Sequence, residues 1–442
     1  MRAFSDPVRL IPLLFAAAIL AGAGLLMLPF ATVDGQGASG VTAFFTSTSA
    51  VSVTGLIVVD TATYWSAFGK GVILLLFQIG GFGIMTAATL FGLMAGRGFG
   101  LRERIATSVE RSRLEVGDAR SVLALVFKVT LTVEGVVAII LTLRFMLAYD
   151  FPFEEALWHG VFHSVSAFNN AGFSSFTDSV MSYQEDSVIL VPIMLSVIIT
   201  ALGFPVMQDV RHHGLSWRAW TLHSKITLSA TIALLLVGFV AIAAKEWTNP
   251  ATLGPMHICT KLLNAAFHSV MPRTAGFNSL DVGAFRGETL LMNYVLMFIG
   301  GGSAGTAGGI KITTFVVLLA VVASEVGGRR DAEIFGRRLG YGVERQALTV
   351  TVAASVLIML ASMYILAITS LPMEDVLFET ISAFSTVGLS TGITAQLPPS
   401  ALGVLAFLMF VGRVGTITVA TALALGGEPR PFRYPEEDPI VG

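Results

Sequence analysis

The amino-acid sequence predicts an all-α membrane protein built from four helix–short helix–helix repeats around a pseudo-four-fold axis. Three observations predict this fold class. Of the 442 residues, 54% are hydrophobic and only 13% are charged; eight apolar runs are long enough to cross a bilayer; and one short motif recurs four times. A soluble domain carries about a quarter charged residues, so the composition indicates a polytopic membrane protein.

Eight spanning helices are predicted from the apolar runs. A helix needs about 20 apolar residues to cross a hydrocarbon core about 30 Å thick. Runs of that length lie near 9–31, 68–95, 121–148, 187–208, 222–245, 288–325, 347–371 and 400–425. The first run is longer than the apolar core of about 7–15 residues in a cleaved signal peptide, so it is predicted to stay as a transmembrane helix.

Four shorter apolar segments lie between the members of successive pairs of spans. They fall near 41–52, 154–168, 257–271 and 374–385. Segments of about 10–14 residues are too short to cross a bilayer and are typical of re-entrant half-helices. The pattern predicts four units of the chain, at 1–96, 97–209, 210–326 and 327–442.

The distribution of basic residues predicts the orientation, because cytoplasmic loops are enriched in Lys and Arg. With eight spans, the two termini and the loops 96–120, 209–221 and 326–346 share one side. Of the 27 basic residues, 17 lie on that side: Arg2, Arg9, Arg97, Arg102, Arg104, Arg111, Arg113, Arg120, Arg211, Arg218, Arg329, Arg330, Arg337, Arg338, Arg345, Arg430 and Arg433. Both termini are therefore predicted to be cytoplasmic.

A repeated motif covers each short segment and the loop after it. The copies read FTSTSAVSVTGL, FHSVSAFNNAGF, FHSVMPRTAGF and FETISAFSTVGL, and they begin at Phe45, Phe162, Phe267 and Phe378. In three copies a Ser-Ala pair lies six and five positions before the Gly, whereas the third copy is one residue shorter and contains Pro272. The four glycines are 117, 104 and 112 residues apart, which is the length of a helical hairpin rather than of a solenoid repeat.

The repeated loops indicate a cation site at the common axis. Irregular backbone at membrane depth is tolerated only where it is buried in protein or lines a water-filled cavity. Rings of backbone carbonyls can replace the hydration shell of a monovalent cation. Each half-helix also directs its negative C-terminal end at the axis, which favours cations. The alternative is that small-residue loops only permit close helix packing, but packing does not explain four matching positions.

These strips resemble those of the Trk/Ktr/HKT superfamily of potassium transporters, and the eight-span length is most similar to its KtrB-type membrane subunits. The resemblance covers essentially the whole chain and rests on SAVSVTGL, SAFNNAGF, RTAGFN and SAFSTVGLSTG. It implies a K⁺ selectivity filter formed by the backbone carbonyls of Val53, Thr54, Gly55, Asn170, Ala171, Gly172, Thr274, Ala275, Gly276, Thr386, Val387 and Gly388. Relatives with Ser at the first Gly favour sodium, so Gly55 implies potassium. The alternative is a cation channel of other selectivity, for sodium or ammonium.

A glycine-rich stretch, FIGGGSAGTAGGIK, interrupts the sixth predicted span. Gly300, Gly302 and Gly305 match the G-x-G-x-x-G pattern, but a dinucleotide site also needs a preceding strand and a soluble βαβ unit, so that reading is rejected. Six glycines in ten residues cannot hold a regular helix, because each costs about 1 kcal/mol relative to Ala. The sequence predicts a break at mid-membrane that lines a cavity, and the alternative is a passive kink.

The family resemblance implies that this stretch gates the pore together with an Arg in the eighth span. The implied gate residues are Gly300, Gly301, Gly302, Ser303, Ala304, Gly305, Thr306, Ala307, Gly308, Gly309, Lys311 and Arg413. A purely structural Arg413, paired with a carboxylate such as Glu134, is the alternative. Arg273 is predicted to brace the third strip, with Asp281 as a candidate partner. The sequence assigns no role to Lys128 or Glu134.

The resemblance also implies partners and a location. It implies a homodimer in the bacterial cytoplasmic (inner) membrane, with K⁺ as the transported ion and Na⁺ as a coupling or activating ion. It further implies a cytosolic, ATP/ADP-binding regulatory ring subunit of KtrA type. The sequence itself predicts neither an enzyme nor a covalent cofactor or nucleic-acid partner, since no catalytic cluster of His, Asp and Ser lies on facing spans. Cys259 is the single cysteine, so no internal disulfide is expected.

Overall fold

The computed structural model describes residues 7–95 and 117–415, and this part of the chain is predominantly helical. Its helices are α1 Pro7–Leu26, α2 Gly40–Val51, α3 Thr61–Tyr64, α4 Ala67–Ala95, α5 Gly117–Tyr149, α6 Phe153–Asn169, α7 Ser187–Leu202, α8 Phe204–His213, α9 Leu222–Glu246, α10 Ile258–Val270, α11 Gly287–Phe298, α12 Ile312–Val326, α13 Tyr341–Ile368, α14 Met373–Ser385 and α15 Pro399–Phe410. Two-residue strands β1 Glu333–Ile334 and β2 Arg337–Arg338 pair in antiparallel fashion. Most of the predicted loop at 96–120, and the C-terminal tail, lie outside the described residues.

The four predicted half-helices correspond to α2, α6, α10 and α14, which are 12, 17, 13 and 13 residues long. Each carries the Phe of its motif on its buried face, and these four side chains are at most 1% exposed: Phe45, Phe162, Phe267 and Phe378. Ser39 caps the first half-helix by accepting a hydrogen bond from the backbone N–H of Thr42. The recurring Phe therefore anchors each short helix in the core.

The longer helices enclose the short ones and connect them into a closed arrangement. Within the units, α2 packs on α1 and α4, α6 on α5 and α7, α10 on α9, and α14 on α13 and α15. Between the units, α4 contacts α6, α7 contacts α10, α11 contacts α14, and α15 contacts α2. Each unit thus touches the next, and the last touches the first.

The helices differ in how well they meet the length needed to cross a membrane. By length and apolar composition, Ala124–Tyr149, Leu222–Glu246 and Tyr341–Ile368 each suffice alone. Shorter apolar helices occupy Ile11–Leu26, Ala67–Gly83, Ile312–Val326 and Pro399–Gly415. The count of eight spans stays a prediction.

The span predicted at 187–208 is bent by 90° between α7 and α8, and the two helices together are long and apolar enough for one broken span or a re-entrant loop. Gly203 lies at the bend with φ +85°, a left-handed value that a residue with a side chain rarely adopts. Pro205 follows in the first turn of α8, where its fixed φ and missing N–H suit a helix start. The sixth predicted span is interrupted as expected, between Phe298 and Ile312.

Candidate functional site

Each motif strip leaves its short helix through the same unusual backbone conformation. The residue two positions before each Gly has positive φ, with Val53 at +56°, Asn170 at +59°, Thr274 at +94° and Thr386 at +49°. The glycines follow at +90°, +68°, +71° and +90°. A β-branched residue at positive φ is a true outlier, and such strain concentrates at functional sites. Three of the four leading residues are β-branched, so the strips hold a strained conformation in common.

The four strips meet in a closed ring of backbone contacts. A methyl group built on Gly55 would lie within 3.0 Å of the Ala171 carbonyl oxygen, and one on Gly172 would lie equally close to that of Ala275. The same holds for Gly276 against Val387 and for Gly388 against Thr54, which completes the circle. No side chain fits at these positions, so glycine is required at all four. The carbonyl oxygens of the residues before the glycines therefore form a ring in which each lies against the Gly of a neighbouring strip.

A serine inside each of three short helices holds its strip in place. The backbone N–H groups of Thr54, Ala171 and Val387 donate to the carbonyl oxygens of the motif serines at 2.8–2.9 Å. The Gly388 N–H donates to Ser382 Oγ at 3.1 Å, and this hydroxyl donates to the Leu389 carbonyl at 2.7 Å. The Ser of the Ser-Ala pair therefore forms hydrogen bonds that satisfy the buried backbone of the strip.

The third strip lacks this serine and is held differently. The Met271 carbonyl accepts from the N–H groups of Ala275 and Gly276, at 3.0 and 3.4 Å. Arg273 is buried, and its Nη2 donates to the Gly300 carbonyl at 3.2 Å. Asp281, the candidate partner in the sequence, is instead exposed. Arg273 therefore braces the strip against the glycine-rich loop rather than against a carboxylate.

Two polar side chains of neighbouring strips are joined by a hydrogen bond that the sequence did not predict. Asn170 donates through Nδ2 to Thr274 Oγ1 at 3.3 Å, and its Oδ1 accepts from Thr200 Oγ1 on α7 at 3.0 Å. Thr200 belongs to no motif, and a Thr in an apolar span usually bonds only within its own helix, so the sequence did not single it out. Its role depends on a contact 30 residues away, which periodicity does not predict.

A cavity of about 330 Å³ opens on the Gly end of the strips and is lined by all four glycines. We call it the mouth cavity. Asp178 and Asp281 lie in its wall, and acidic side chains at a cleft raise the local concentration of cations. Among the residues that the structure describes, no group of three or more His, Cys, Asp or Glu side chains could hold a metal ion. The ring itself offers the carbonyl oxygens of Thr54, Ala171, Ala275 and Val387, each of which lies close to the Gly of a neighbouring strip.

The glycine-rich loop, residues 299–311, lies against the opposite end of the strips. A methyl group on Gly308 would lie within 3.0 Å of the Thr386 hydroxyl and the Ser385 carbonyl. The base of the loop is closed by hydrogen bonds from Gly300 N–H to the Ile310 carbonyl at 2.9 Å and from Ile310 N–H to the Phe298 carbonyl at 3.2 Å. The ring is thus flanked by the mouth cavity on one side and by this loop on the other.

The bend between α7 and α8 supports the tip of the loop. Gly302 N–H donates to the Ala201 carbonyl at 2.7 Å, and Phe204 N–H donates to the Ala304 carbonyl at 3.3 Å. A methyl group on Gly203 would lie within 3.0 Å of the Ser303 carbonyl. The Gly-Phe-Pro sequence at 203–205 is the signal that could have predicted this bend.

Two cations converge on the loop. Lys311 Nζ donates to the Ala307 carbonyl at 2.5 Å, and Arg413 Nη1 donates to the Thr306 carbonyl. Within residues 7–95 and 117–415, Arg413 Nε and Nη2 are buried without a hydrogen-bond partner. Glu134, the partner considered from the sequence, accepts instead from Gln78 Nε2 at 3.5 Å. The Arg413 charge is therefore directed at the loop and is not neutralised by Glu134.

This architecture defines an all-α membrane protein with a ring of backbone carbonyls at its centre, and comparison with known proteins gives the family. The chain belongs to the TrkH family of cation transport proteins, whose model matches residues 17–428. It is 38% identical over 437 residues to the Ktr system potassium uptake protein B of Bacillus subtilis (strain 168), covering 99% of this chain and 97% of that protein.

Two further proteins extend the comparison. The chain is 34% identical over 444 residues to the potassium/sodium uptake protein NtpJ of Enterococcus hirae, covering 99% of this chain and 97% of that protein. The crystal structure of the potassium transporter TrkH from Vibrio parahaemolyticus superposes with a TM-score of 0.72 at 19% identity, over 94% of this chain and 84% of that one. The resemblance to the Trk/Ktr/HKT superfamily is confirmed, and the TrkH likeness confirms the helical fold.

Replacing Ser382 by Ala should destabilise the protein through the fourth strip. The change leaves the buried Gly388 N–H and the Leu389 carbonyl without the Ser382 hydroxyl, at a cost of about 1–3 kcal/mol. Chemical unfolding in detergent, followed by circular dichroism, measures the change. Ser355→Ala is the matched control, because that exposed hydroxyl bonds only to Thr351 in its own helix. Equal losses of stability in the two variants would contradict the role of the Ser382 hydroxyl in holding the fourth strip.

Proposed function

We propose that this protein carries K⁺ across the bacterial inner membrane through an opening at the centre of the four strips. The observation that carries the proposal is the closed ring in which each Gly abuts the carbonyl that precedes the Gly of the next strip. Membership of a cation transport family and likeness to a named potassium uptake protein support it.

Selectivity in this proposal comes from the backbone of Val53–Gly55, Asn170–Gly172, Thr274–Gly276 and Thr386–Gly388. A cation entering the ring exchanges water oxygens for carbonyl oxygens, as in potassium channels. The short helices end at the strips, so their negative ends lower the energy of a cation there. Asp178 and Asp281 attract cations into the mouth cavity.

Potassium is preferred over sodium in this proposal because all four strips carry Gly. A second candidate is a channel of other selectivity, for sodium or ammonium. The Enterococcus hirae relative is named a potassium/sodium uptake protein, which favours keeping sodium as the alternative ion or as a coupling ion.

The glycine-rich loop is proposed to close the path below the ring. It lies at the end of the strips away from the mouth cavity, and the buried Arg413 adds a positive charge there. A buried guanidinium below a cation path is an electrostatic barrier. Opening would break the bonds to Arg413 and to Ala201, while Arg273 holds the base of the loop at Gly300.

The assembly is proposed to follow the Ktr type. In it, units 1–96, 97–209, 210–326 and 327–442 supply two spans and one half-helix each, eight spans in all, with both termini cytoplasmic. The chain pairs as a homodimer on a cytosolic nucleotide-binding ring of KtrA type that biases the loop. The name of the Bacillus subtilis relative, a protein of a Ktr system, is consistent with further subunits.

Gly55→Ser tests the proposed function. In proteoliposomes, the wild type should pass Rb⁺, a K⁺ substitute, in preference to Na⁺. The serine side chain would overlap the Ala171 carbonyl, and losing about one ion–oxygen contact of ~1.4 kcal/mol lowers the Rb⁺/Na⁺ flux ratio about tenfold. Gly71→Ser on α4 is the control, since nothing lies within 4 Å of its added atom. An unchanged ratio in a folded Gly55→Ser protein would show that the strip is not a filter.

Arg413→Ala tests the gate. Removing a charged hydrogen bond of about 1.5–3 kcal/mol to the Thr306 carbonyl, and the barrier charge with it, should raise basal Rb⁺ flux about tenfold or more. The flux is measured without any regulatory subunit. Arg286→Ala is the control, because Arg286 is exposed and bonds to Thr248. Basal flux that stays at the wild-type value would refute the gate assignment.

A further inference from the structure

A groove on the outer surface lies away from the ring, where α8 meets the first half of α5. It has a volume of about 510 Å³. Leu125, Val129 and Val133 give it apolar walls, and Lys128 and Arg211 place two cations in it. We call it the basic groove.

The basic groove faces the surface that a bilayer covers. Its α5 wall belongs to Ala124–Tyr149, a segment long and apolar enough to span a membrane. Phe127 and Leu131, which flank the groove on α5, are each 55% exposed. Lys128 lies on this apolar helix and is exposed. A cation on a membrane-facing helix needs an anionic partner or a path to the interface.

The two cations lack a protein counter-charge in the part of the chain that the structure describes. The side chains of Lys128 and Arg211 form no ion pair or hydrogen bond there. The acid nearest to Arg211 in sequence is Asp209, which is buried and accepts from the N–H and the hydroxyl of Thr221 at 3.0 and 2.7 Å. Within the described residues, the acid nearest to Lys128 in sequence is Glu134, which is buried and accepts from Gln78 Nε2. Among the described residues, the Lys128 and Arg211 side chains therefore carry positive charge that no acidic side chain pairs with.

A second surface groove of similar size provides a comparison. It has a volume of about 490 Å³ and lies between α9 and α11, with Leu236, Val237 and Val240 among its apolar walls. Its cation, Lys245, lies 3.8 Å from Glu288 and is neutralised by it. The two grooves offer similar apolar volume but differ in net charge.

We propose that the basic groove binds an anionic phospholipid of the phosphatidylglycerol type. The phosphate contacts Lys128 and Arg211, the Thr132 hydroxyl supplies a further donor, and one acyl chain lies along the apolar wall of α5. Basic pockets between helices at a membrane surface recognise anionic headgroups in this way. A zwitterionic phospholipid brings a cation of its own and fits two cations poorly.

The lipid site is connected to the glycine-rich loop through α8. The headgroup joins α5 to α8, and α8 begins at the bend whose Phe204 N–H bonds to Ala304. A bound lipid thus holds α8, and with it the tip of the loop. This connection rests on the proposed gate function, whereas lipid binding does not.

Binding is tested by native mass spectrometry of the full-length protein, with phosphatidylglycerol and phosphatidylcholine as probes. The wild type should retain phosphatidylglycerol in preference. Lys128→Gln combined with Arg211→Gln should weaken that binding roughly thirtyfold, since each cation near an anionic headgroup contributes about 1 kcal/mol. Lys245→Gln in the second groove is the matched control and should leave it unchanged. Lys128→Arg with Arg211→Lys keeps both charges and should retain binding.

The outcomes separate the two parts of the proposal. Undiminished phosphatidylglycerol binding in the double Gln variant, or an equal loss in Lys245→Gln, overturns the site. Displacement of the lipid by inorganic phosphate assigns the groove to a free anion and also overturns it. Rb⁺ flux then tests the connection: phosphatidylglycerol should change wild-type flux but not that of the double Gln variant. If binding is lost and the lipid response persists, the site stands and its connection to the loop is refuted.

Discussion

The contact between each motif Gly and the carbonyl that precedes the Gly of the next strip constrains how the four repeats pack. This contact leaves no space for a side chain at Gly55, Gly172, Gly276 or Gly388. The ring of contacts closes only if the four short helices end at the same depth and direct their strips to one centre. The buried Phe of each short helix and the packing of α15 on α2 serve that requirement. Hydrogen bonds to the motif serines then satisfy the backbone of three of the strained strips.

The two ends of the strips differ in the charge of the groups that surround them. The Gly end opens into an acidic, solvent-accessible cavity, whereas the other end abuts the glycine-rich loop, which contains Lys311 and accepts a hydrogen bond from Arg413. The loop has different supports at base and tip. Arg273 ties its base to the third strip, and the α7–α8 bend supports its tip. A movement of α8 would therefore reach the tip while the base stays attached to the ring.

Local chemistry explains which features the sequence predicts. The half-helices and strips follow from short apolar segments that end in a recurring Gly, and the loop break follows from six glycines in ten residues. The partners of Arg273, Arg413 and Asn170 were not predictable, because they lie 27, 107 and 104 residues away and depend on how the units pack. The bend at Gly203 was missed because continuous hydrophobicity hides a break that only Gly203 and Pro205 signal. The number of spans depends on helix ends, which hydropathy places poorly.

The most direct test of the ring as an ion site is anomalous diffraction from crystals of the full-length protein grown in Rb⁺. An ion site at the ring requires an anomalous peak on the central axis, in contact with the carbonyl oxygens of Thr54, Ala171, Ala275 and Val387. Replacing Rb⁺ with Na⁺ should remove that peak without disturbing the strips. An intact ring with no Rb⁺ between these carbonyls, or with Rb⁺ bound only at side chains elsewhere, would show that the ring is not an ion site.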